Sequence, residues 1–266
     1  GNLTISADTL GLGGAVSGTG ALLIQPITTA RTVGLGSSTT ADLNLDDTEL
    51  GYLQDGFSGI TVGRSNGSGA TTVDFGVGYT FHDPLTLRSS SGPITVSDAL
   101  DTGSNSLTIS SSGGAVSVRG LTSGTLAITG SGITLNNDIT TSGAQTFTGP
   151  VTLGGSVTTG AISFGSTVGN TAPLTSLTVT STHATGITLN GNVSTSGAQN
   201  YHGLTTIGAD SSLVSSTSNI KVWSDMTVSA ALTVNAAGTV TFLGSVATDG
   251  SYVSGVTAYQ DAVLND

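Results

Sequence analysis

The sequence predicts an all-β protein, a single right-handed parallel β-helix in which short strands wind into stacked coils across residues 1–266. Three observations support this fold class. One long unit occurs twice, apolar–polar–apolar triplets recur in pairs, and large aromatic side chains are scarce, with six Phe, five Tyr and one Trp. Internal repeats are the sequence signature of solenoids, whose units bury their apolar faces by stacking on one another.

The repeat joins residues 133–154, ITLNNDITTSGAQTFTGPVTLG, to residues 187–208, ITLNGNVSTSGAQNYHGLTTIG. The two copies are identical at more than half of their positions. The offset from position 133 to position 187 divides into three coils of about 18 residues each. We therefore expect the two copies to occupy equivalent places, three coils apart.

Each triplet alternates apolar and polar residues, which is the pattern of a strand with one buried face. Glycine, serine and asparagine fill the gaps between triplets, as turns require. Many short strands also suit a β-sandwich, but sandwich cores depend on large rings that are rare here. Coils of about 20 residues would give roughly 13 coils. Three of the pairs are Leu85–Leu87 with Ile94–Val96, Leu107–Ile109 with Val116–Val118, and Leu126–Ile128 with Ile133–Leu135.

One segment departs from the strand pattern and predicts a short helical excursion near residues 46–55. Asp46 is a suitable N-cap, and Glu49 three positions later completes a capping box. Gly56 is a suitable C-terminal stop. Leu50 and Leu53 would then face one side and cover part of the solenoid.

The charge balance and the lack of a long apolar run argue against nucleic-acid binding and membrane insertion. The formal net charge is −11, from 16 acidic and five basic residues, and such a surface repels nucleic-acid phosphate. No apolar run reaches the roughly 20 residues that a membrane helix needs, so we expect no membrane insertion. The chain opens on strand-like residues without a signal-peptide pattern, which suggests a processed chain or a piece of a longer one.

Several segments resemble very large secreted bacterial proteins of the filamentous-haemagglutinin type. They are TELGYLQDGFSGITVGRSNGSGATTV at 48–73, HDPLTLRSSSGPITV at 82–96 and the repeat unit TSGAQTFTGPVTLG at 141–154. The resemblance implies a right-handed β-helix, export to the bacterial cell surface, and a role in adhesion or matrix. The amino-terminal secretion domain of that family is not recognisable here, which favours a module or fragment of a larger assembly.

The main alternative is a polysaccharide lyase or hydrolase, because such enzymes also use parallel β-helices. Their sites need clustered carboxylates, and lyases add a basic residue. The four arginines and Lys221 are instead scattered along the chain, so we expect no catalysis. Residues 63–67 match the GxSxG pattern and residues 218–221 match SxxK, at about the frequency that this composition produces by chance.

Metal binding is the remaining chemical hypothesis, and we expect no other cofactor. Oxygen-bearing side chains alternate from Asp42, although an EF-hand loop would need Gly at Asp47 and Glu at Leu53. His183 and His202 lie about one coil apart and could pair at a transition metal. The candidate calcium ligands are Asp42, Asn44, Asp46, Asp47 and Glu49.

Together these patterns predict a non-catalytic structural or adhesive module outside a bacterial cell. Solenoid ends expose unpaired strand edges, which must be capped or continued. The expected partners are therefore copies of the chain or adjoining repeats, stacked end to end. Glycans and other cell-surface components are further expected partners.

Overall fold

The computed structural model describes residues 1–76, 78–136, 139–149, 151–153, 157–158, 162–169, 173–174, 176–181, 184–248 and 253–264. Strands account for 54% of the chain and helix for 2%, which confirms the predicted all-β class. Parallel strands stack as a β-solenoid of about 11 coils, fewer than the number expected. Two compact units, 1–137 and 138–266, are described separately below. Right-handed winding and continuity across 1–266 stay predictions.

The first unit contains parallel strands and a single-turn helix, with these bounds: β1 Leu3–Ser6, β2 Ala21–Gln25, β3 Val33–Leu35, β4 Leu43–Leu45, α1 Asp47–Leu50, β5 Gly59–Gly63, β6 Thr71–Val73, β7 Tyr79–Thr80, β8 Leu85–Ser89, β9 Ile94–Asp101, β10 Leu107–Ser123 and β11 Leu126–Leu135.

The paired triplets of the sequence stack in register in this unit. Leu85, Leu107 and Leu126 lie directly above one another on three successive coils. Ile94 and Val116 pair in the same way on the adjacent sheet. All five side chains are buried. Each stack removes a column of aliphatic carbon from water, at about 25 cal/mol for every Å² buried, and these columns make up the core.

One coil of the first unit is much longer than the others. It runs from Leu22 to its strand partner Ile60, whereas the coil that follows runs only from Ile60 to Leu85. The extra length holds β3, β4 and α1, and β3 pairs in parallel with β4. An enlarged coil of this kind is one reason why the solenoid has fewer coils than its length predicts.

The helical excursion is present but shorter than expected. The helix α1 covers four residues, and its C-cap is Gly51 rather than Gly56. The predicted capping box is confirmed, with Asp46 and Glu49 in the two roles. Leu50 is buried, whereas Leu53 lies beyond the helix and forms an isolated parallel bridge with Val16. Strand pairing of Leu53 therefore ends the helical segment early.

The second unit consists of parallel strands with these bounds: β12 Ile139–Thr141, β13 Gln145–Thr148, β14 Val151–Leu153, β15 Val157–Thr158, β16 Ile162–Phe164, β17 Leu177–Thr180, β18 Ile187–Leu189, β19 Val193–Thr195, β20 Gln199–His202, β21 Thr205–Ile207, β22 Ser211–Ser215, β23 Ile220–Val222, β24 Met226–Val228, β25 Leu232–Phe242, β26 Val246–Thr248 and β27 Val253–Leu264.

The two copies of the repeat do not occupy equivalent places three coils apart, so that expectation is wrong. Ile139 belongs to a column that continues through Val157 and Val179 to Tyr201, so three coils beyond Ile139 end at Tyr201 and not at Val193. Val193, the repeat counterpart of Ile139, pairs with Leu213 in a different column. The copies therefore lie on different sheets of the solenoid. Positions 137, 138, 150 and 154 of the first copy lie outside the described residues.

Aspartate and asparagine side chains fasten successive coils of the second unit at their turns. In each case the side-chain Oδ1 atom accepts a hydrogen bond from a backbone N–H on the next coil. A turn amide that would otherwise lack a partner is thereby satisfied. The pairs are Asn192 with Ser212 at 2.8 Å, Asp210 with Ala231 at 3.0 Å, Asn219 with Thr239 at 2.8 Å and Asp225 with Ser245 at 2.9 Å.

Within the described residues, none of the helical structure is long or apolar enough to cross a bilayer.

Candidate functional site

The first candidate ligand of the predicted calcium site, Asp42, is held by neighbouring protein groups. Its carboxylate accepts hydrogen bonds from the Thr32 backbone N–H at 3.0 Å and the Thr32 hydroxyl at 2.9 Å. The Arg31 guanidinium donates to the same carboxylate at 2.8 Å. The Thr32 hydrogen bonds, followed by the charge of Arg31, lower the pKa of Asp42 from its ordinary value. Asp42 thus joins its own segment to Arg31 and Thr32 through hydrogen bonds and charge.

The carboxylates at the helix are engaged in its capping. Asp46 Oδ1 accepts from the Glu49 backbone N–H at 2.8 Å, and Glu49 Oε2 accepts from the Asp46 backbone N–H at 3.1 Å. The other Glu49 oxygen accepts from the Leu12 backbone N–H at 2.7 Å. These three bonds satisfy amides at the start of the helix and on the preceding coil.

The last two calcium candidates also have protein partners. Asp47 Oδ1 accepts from the Ser37 backbone N–H at 3.2 Å, and Asn44 Oδ1 contacts the Thr39 hydroxyl. In the part of the chain that the structure describes, no group of three or more His, Cys, Asp or Glu residues could hold a metal ion. Calcium binding stays a prediction, and it would require these oxygens to exchange their donors for the ion.

Neither of the two enzyme-like motifs lies at a strand-to-helix step. Gly63 ends β5, and turn and loop residues follow it, with Arg64 Nη1 donating to the Pro26 carbonyl at 3.0 Å. Ser218 precedes β23, which carries Lys221 on a strand. A nucleophile elbow needs a helix directly after its serine, and an SxxK pair needs a helix that brings its lysine beside its serine. The geometry therefore gives neither motif its catalytic context.

The exposed feature richest in binding chemistry is the Trp223 cluster, formed by His202, Lys221 and Trp223 in the second unit. The His202 and Trp223 rings stack with centroids 4.8 Å apart and planes 20° apart. Lys221 Nζ lies 3.6 Å from the centroid of the Trp223 ring. Trp223 is 45% exposed, in a chain that has no other tryptophan. Exposed aromatic and cationic side chains held together in this way can bind a ligand.

Strand alternation and register bring the Trp223 cluster together. Ile220 and Val222 are buried, so Lys221 and Trp223 point outward from the intervening positions. Tyr201 pairs with Val222 in parallel register, which places the next residues, His202 and Trp223, side by side on adjacent coils. The separation of the two rings equals the spacing of about 4.8 Å between neighbouring strands.

Sequence reasoning does not identify this cluster. The alternation from Ile220 to Trp223 is visible in the sequence and indicates a strand. The neighbour of Trp223 cannot be inferred from it, because that neighbour depends on a coil length that no repeat in the sequence specifies. The predicted pairing of His202 with His183 stays a prediction, since His183 lies outside the described residues.

The electrostatics of the Trp223 cluster differ from those of the whole chain. Both ion pairs of the described residues involve Arg31, so within that part Lys221 has no carboxylate within 4 Å. The nearest members of the outward column through Lys221 are Asn200 and Thr241, with Thr178 one coil further, and all three are uncharged. This part of an acidic protein thus presents an ammonium group among neutral polar side chains.

The first unit carries a second polar surface feature. A depression of about 380 Å³ is lined by Thr95, Val96, Ser97, Ser117, Arg119 and Asn136. Asn136 Nδ2 donates to the Ser117 hydroxyl at 3.1 Å. Without an exposed aromatic ring in its lining, this depression offers hydrogen bonds and charge only.

Comparisons with protein-family models, with curated proteins and with solved structures find no match to this chain.

Proposed function

We propose that this chain is a non-catalytic module of the filamentous-haemagglutinin type, a structural or adhesive rod outside a bacterial cell. The observation that carries the proposal is that its acidic side chains serve as acceptors of structural hydrogen bonds. Carboxylates of Asp42, Asp210 and Asp225 accept backbone hydrogen bonds from other segments of the chain, and the carboxylate of Asp46 caps the helix. Stacked coils with polar outward faces are well suited to a rigid spacer.

The same use of carboxylates weighs against the enzymatic alternative, a polysaccharide lyase or hydrolase. Glycoside hydrolysis needs two carboxylic groups on either side of the scissile bond, and their protons or lone pairs must be free to act. An oxygen that already accepts two or three hydrogen bonds is a weaker base. Asp42, with bonds from Arg31 and Thr32, illustrates this state.

The proposal includes end-to-end stacking of coils on adjoining repeats or on copies of the chain. β1 pairs in parallel with β2 along one edge, and Leu3 in β1 is 39% exposed. A strand edge that carries free N–H and C=O groups can pair with another strand. Such continuation also buries the exposed apolar side chains of the edge coil.

An adhesion assay combined with a depolymerisation assay tests the proposal. The purified chain should adhere to host cells or to matrix-coated surfaces, and it should release no sugar fragments from acidic or neutral polysaccharides. Sustained turnover of any of these polymers would show that the chain is an enzyme. Failure to adhere to every surface would remove the adhesive role.

Light scattering over a concentration series, with electron microscopy, tests the stacking. We expect linear assemblies that lengthen with concentration. Leu3→Glu should shorten them, because it places a charge at the exposed edge coil. Ile27→Glu is a matched control, since Ile27 is also apolar and exposed but lies outside the strands. Equal assembly of both variants and the unmodified chain would contradict stacking through β1.

A further inference from the structure

We propose that the Trp223 cluster is a binding subsite for glycans built from carboxylate-bearing pyranose rings, such as hexuronic acids. This inference rests on the proposed adhesive function and names the ligand class and its residues. Three properties of the cluster lead to it: an exposed indole, an ammonium group held beside it, and a neutral polar surrounding.

The indole supplies the contact for the sugar ring. A pyranose has an apolar side made of C–H groups, which packs on a flat aromatic surface. Trp223 is 45% exposed, and the indole face beneath the Lys221 ammonium becomes available to the sugar when the flexible lysine side chain moves aside. Stacking on His202 holds the ring in place, so less rotamer freedom is lost on binding.

Lys221 determines the preference for a carboxylate over an uncharged sugar. Its Nζ atom lies 3.6 Å from the indole centroid, and its aliphatic stem starts from the strand next to Trp223. A sugar that takes the place of the ammonium over the indole therefore has its ring carboxylate within reach of the displaced ammonium group. Charge-assisted hydrogen bonds of this kind are about twice as strong as neutral ones.

The net charge of −11 does not prevent this contact. At physiological ionic strength, charges more than about 8 Å apart are largely screened. The nearest acidic residue along the chain, Asp225, has its Oδ1 atom in a hydrogen bond with the Ser245 backbone N–H. The neighbouring outward residues Asn200 and Thr241 are uncharged hydrogen-bonding groups.

The stacking of coils extends the subsite along the solenoid. The backbone N–H of Trp223 donates to the Tyr201 carbonyl at 2.9 Å, and the backbone N–H of Leu243 donates to the Val222 carbonyl at 2.9 Å. Trp223 and Leu243 therefore hold equivalent positions on consecutive coils, and both are 45% exposed. A polymer that lies along this row contacts several side chains at once, so the subsite favours polysaccharides over single sugars.

Isothermal titration with three polymers tests the inference, in calcium-free buffer at physiological ionic strength. Polygalacturonate carries ring carboxylates, dextran is neutral, and dextran sulfate carries sulfates. We expect the tightest binding to polygalacturonate. Trp223→Ala and Lys221→Met should each weaken it about tenfold or more, a loss typical of central binding residues.

Arg88→Met is the matched control, because it removes one positive charge from a strand in the first unit and lies outside the polar depression described above. It should leave polygalacturonate binding unchanged, and melting curves should show that all three variants fold. Unchanged binding by Trp223→Ala would overturn the site. Equal binding of dextran, or tighter binding of dextran sulfate, would overturn the carboxylate preference.

Failure here is distinguishable from failure of the proposed function. If the chain adheres to cells but does not bind polygalacturonate, the adhesive function stands and the proposed subsite is contradicted. A chain that cleaves polygalacturonate loses the non-catalytic assignment, whatever the Trp223 variants do.

Discussion

The hydroxyl of Tyr201 donates a hydrogen bond to Gln199 Oε1, 2.8 Å away, inside the core of the second unit. Gln199 Nε2 in turn donates to the Val214 carbonyl at 2.7 Å and to the Thr195 hydroxyl at 3.2 Å. Tyr201, Gln199 and Thr195 are fully buried. A polar network therefore lies within the aliphatic core, and each member depends on its partners.

The first copy of the repeat contains a separate contact that corresponds to part of this network. Gln145 Nε2 donates to the Thr141 hydroxyl at 3.1 Å, as Gln199 does to Thr195. Phe147 stands where the second copy has Tyr201, and it is fully buried too. A phenyl ring therefore fills the corresponding position of the first copy, although on a different sheet, and the tyrosine hydroxyl occurs only in the second copy.

Replacing Tyr201 with Phe should destabilise the second unit by about 1–2 kcal/mol. The ring would still fill its space, but Gln199 Oε1 would lose its buried donor, and an unsatisfied buried acceptor costs about 1–3 kcal/mol. Chemical denaturation measures the change. Phe147→Leu is a comparison that tests packing alone, and a neutral Tyr201→Phe would show that the hydroxyl is not needed.

The same tyrosine should make stability fall at high pH. Burial raises the pKa of Tyr201 far above its usual range, while an unfolded tyrosine ionises near pH 10. The folded state then keeps a proton that the unfolded state loses, so the stabilisation is complete below about pH 10 and declines as pH rises. Melting temperatures between about pH 8 and pH 11 should fall less steeply in Tyr201→Phe.

Tyr79 accounts for part of the decline that remains in that variant. Burial, followed by the charge of Asp47, raises the pKa of Tyr79 as well. Its hydroxyl donates to the Leu50 carbonyl at 2.8 Å, which anchors the helix. Identical alkaline slopes in the unmodified chain and Tyr201→Phe would contradict the assignment to Tyr201.

The fold class could be predicted because it depends on local signals. Alternating triplets such as Leu107–Ile109 specify strands with one buried face, and their recurrence specifies parallel stacking. Coil length is different, since it depends on how many turn residues lie between columns. The coil from Ile139 to Val157 is shorter than the next one, from Val157 to Val179, so a division of the repeat offset into equal coils was bound to fail.

The candidate site illustrates the same limit. The capping roles of Asp46 and Glu49 lie within one helical turn and were predicted from that spacing alone. The contact between His202 and Trp223 crosses one coil, and no local rule connects residues at that distance. Charged and aromatic side chains on outward faces can therefore be recognised from sequence, but their neighbours require the register.

Substituting Gly63 with Ala should destabilise the first unit by about 1–3 kcal/mol. Gly63 has a φ of +97°, a backbone angle that residues other than glycine rarely adopt. A Cβ atom there would lie 2.1 Å from the Arg88 carbonyl oxygen. Gly132→Ala is the control, because a Cβ at Gly132 meets nothing within 4 Å. Equal stability of the two variants in denaturant titrations would contradict this interpretation.

Asp46→Ala should cost about 1 kcal/mol by removing the N-cap of the helix. Because its Oδ1 atom bonds to the Glu49 N–H, we expect the same loss in calcium and in chelator. Melting curves in both buffers measure this. A calcium-dependent rise in melting temperature that Asp46→Ala abolishes would contradict this expectation and support calcium binding at the candidate ligands.

Asp210 should stabilise its turn as a hydrogen-bond acceptor for the Ala231 N–H, and its negative charge should not be needed. Asp210 Oδ1 accepts the Ala231 N–H at 3.0 Å, and Asn219 accepts the Thr239 N–H in the same way at 2.8 Å. Asp210→Asn should therefore keep near-normal stability. Asp210→Ala should lose about 1 kcal/mol, the usual net contribution of such a bond. Hydrogen exchange should show faster exchange of the Ala231 amide in the alanine variant only; equally fast exchange in both variants would mean that the charge matters.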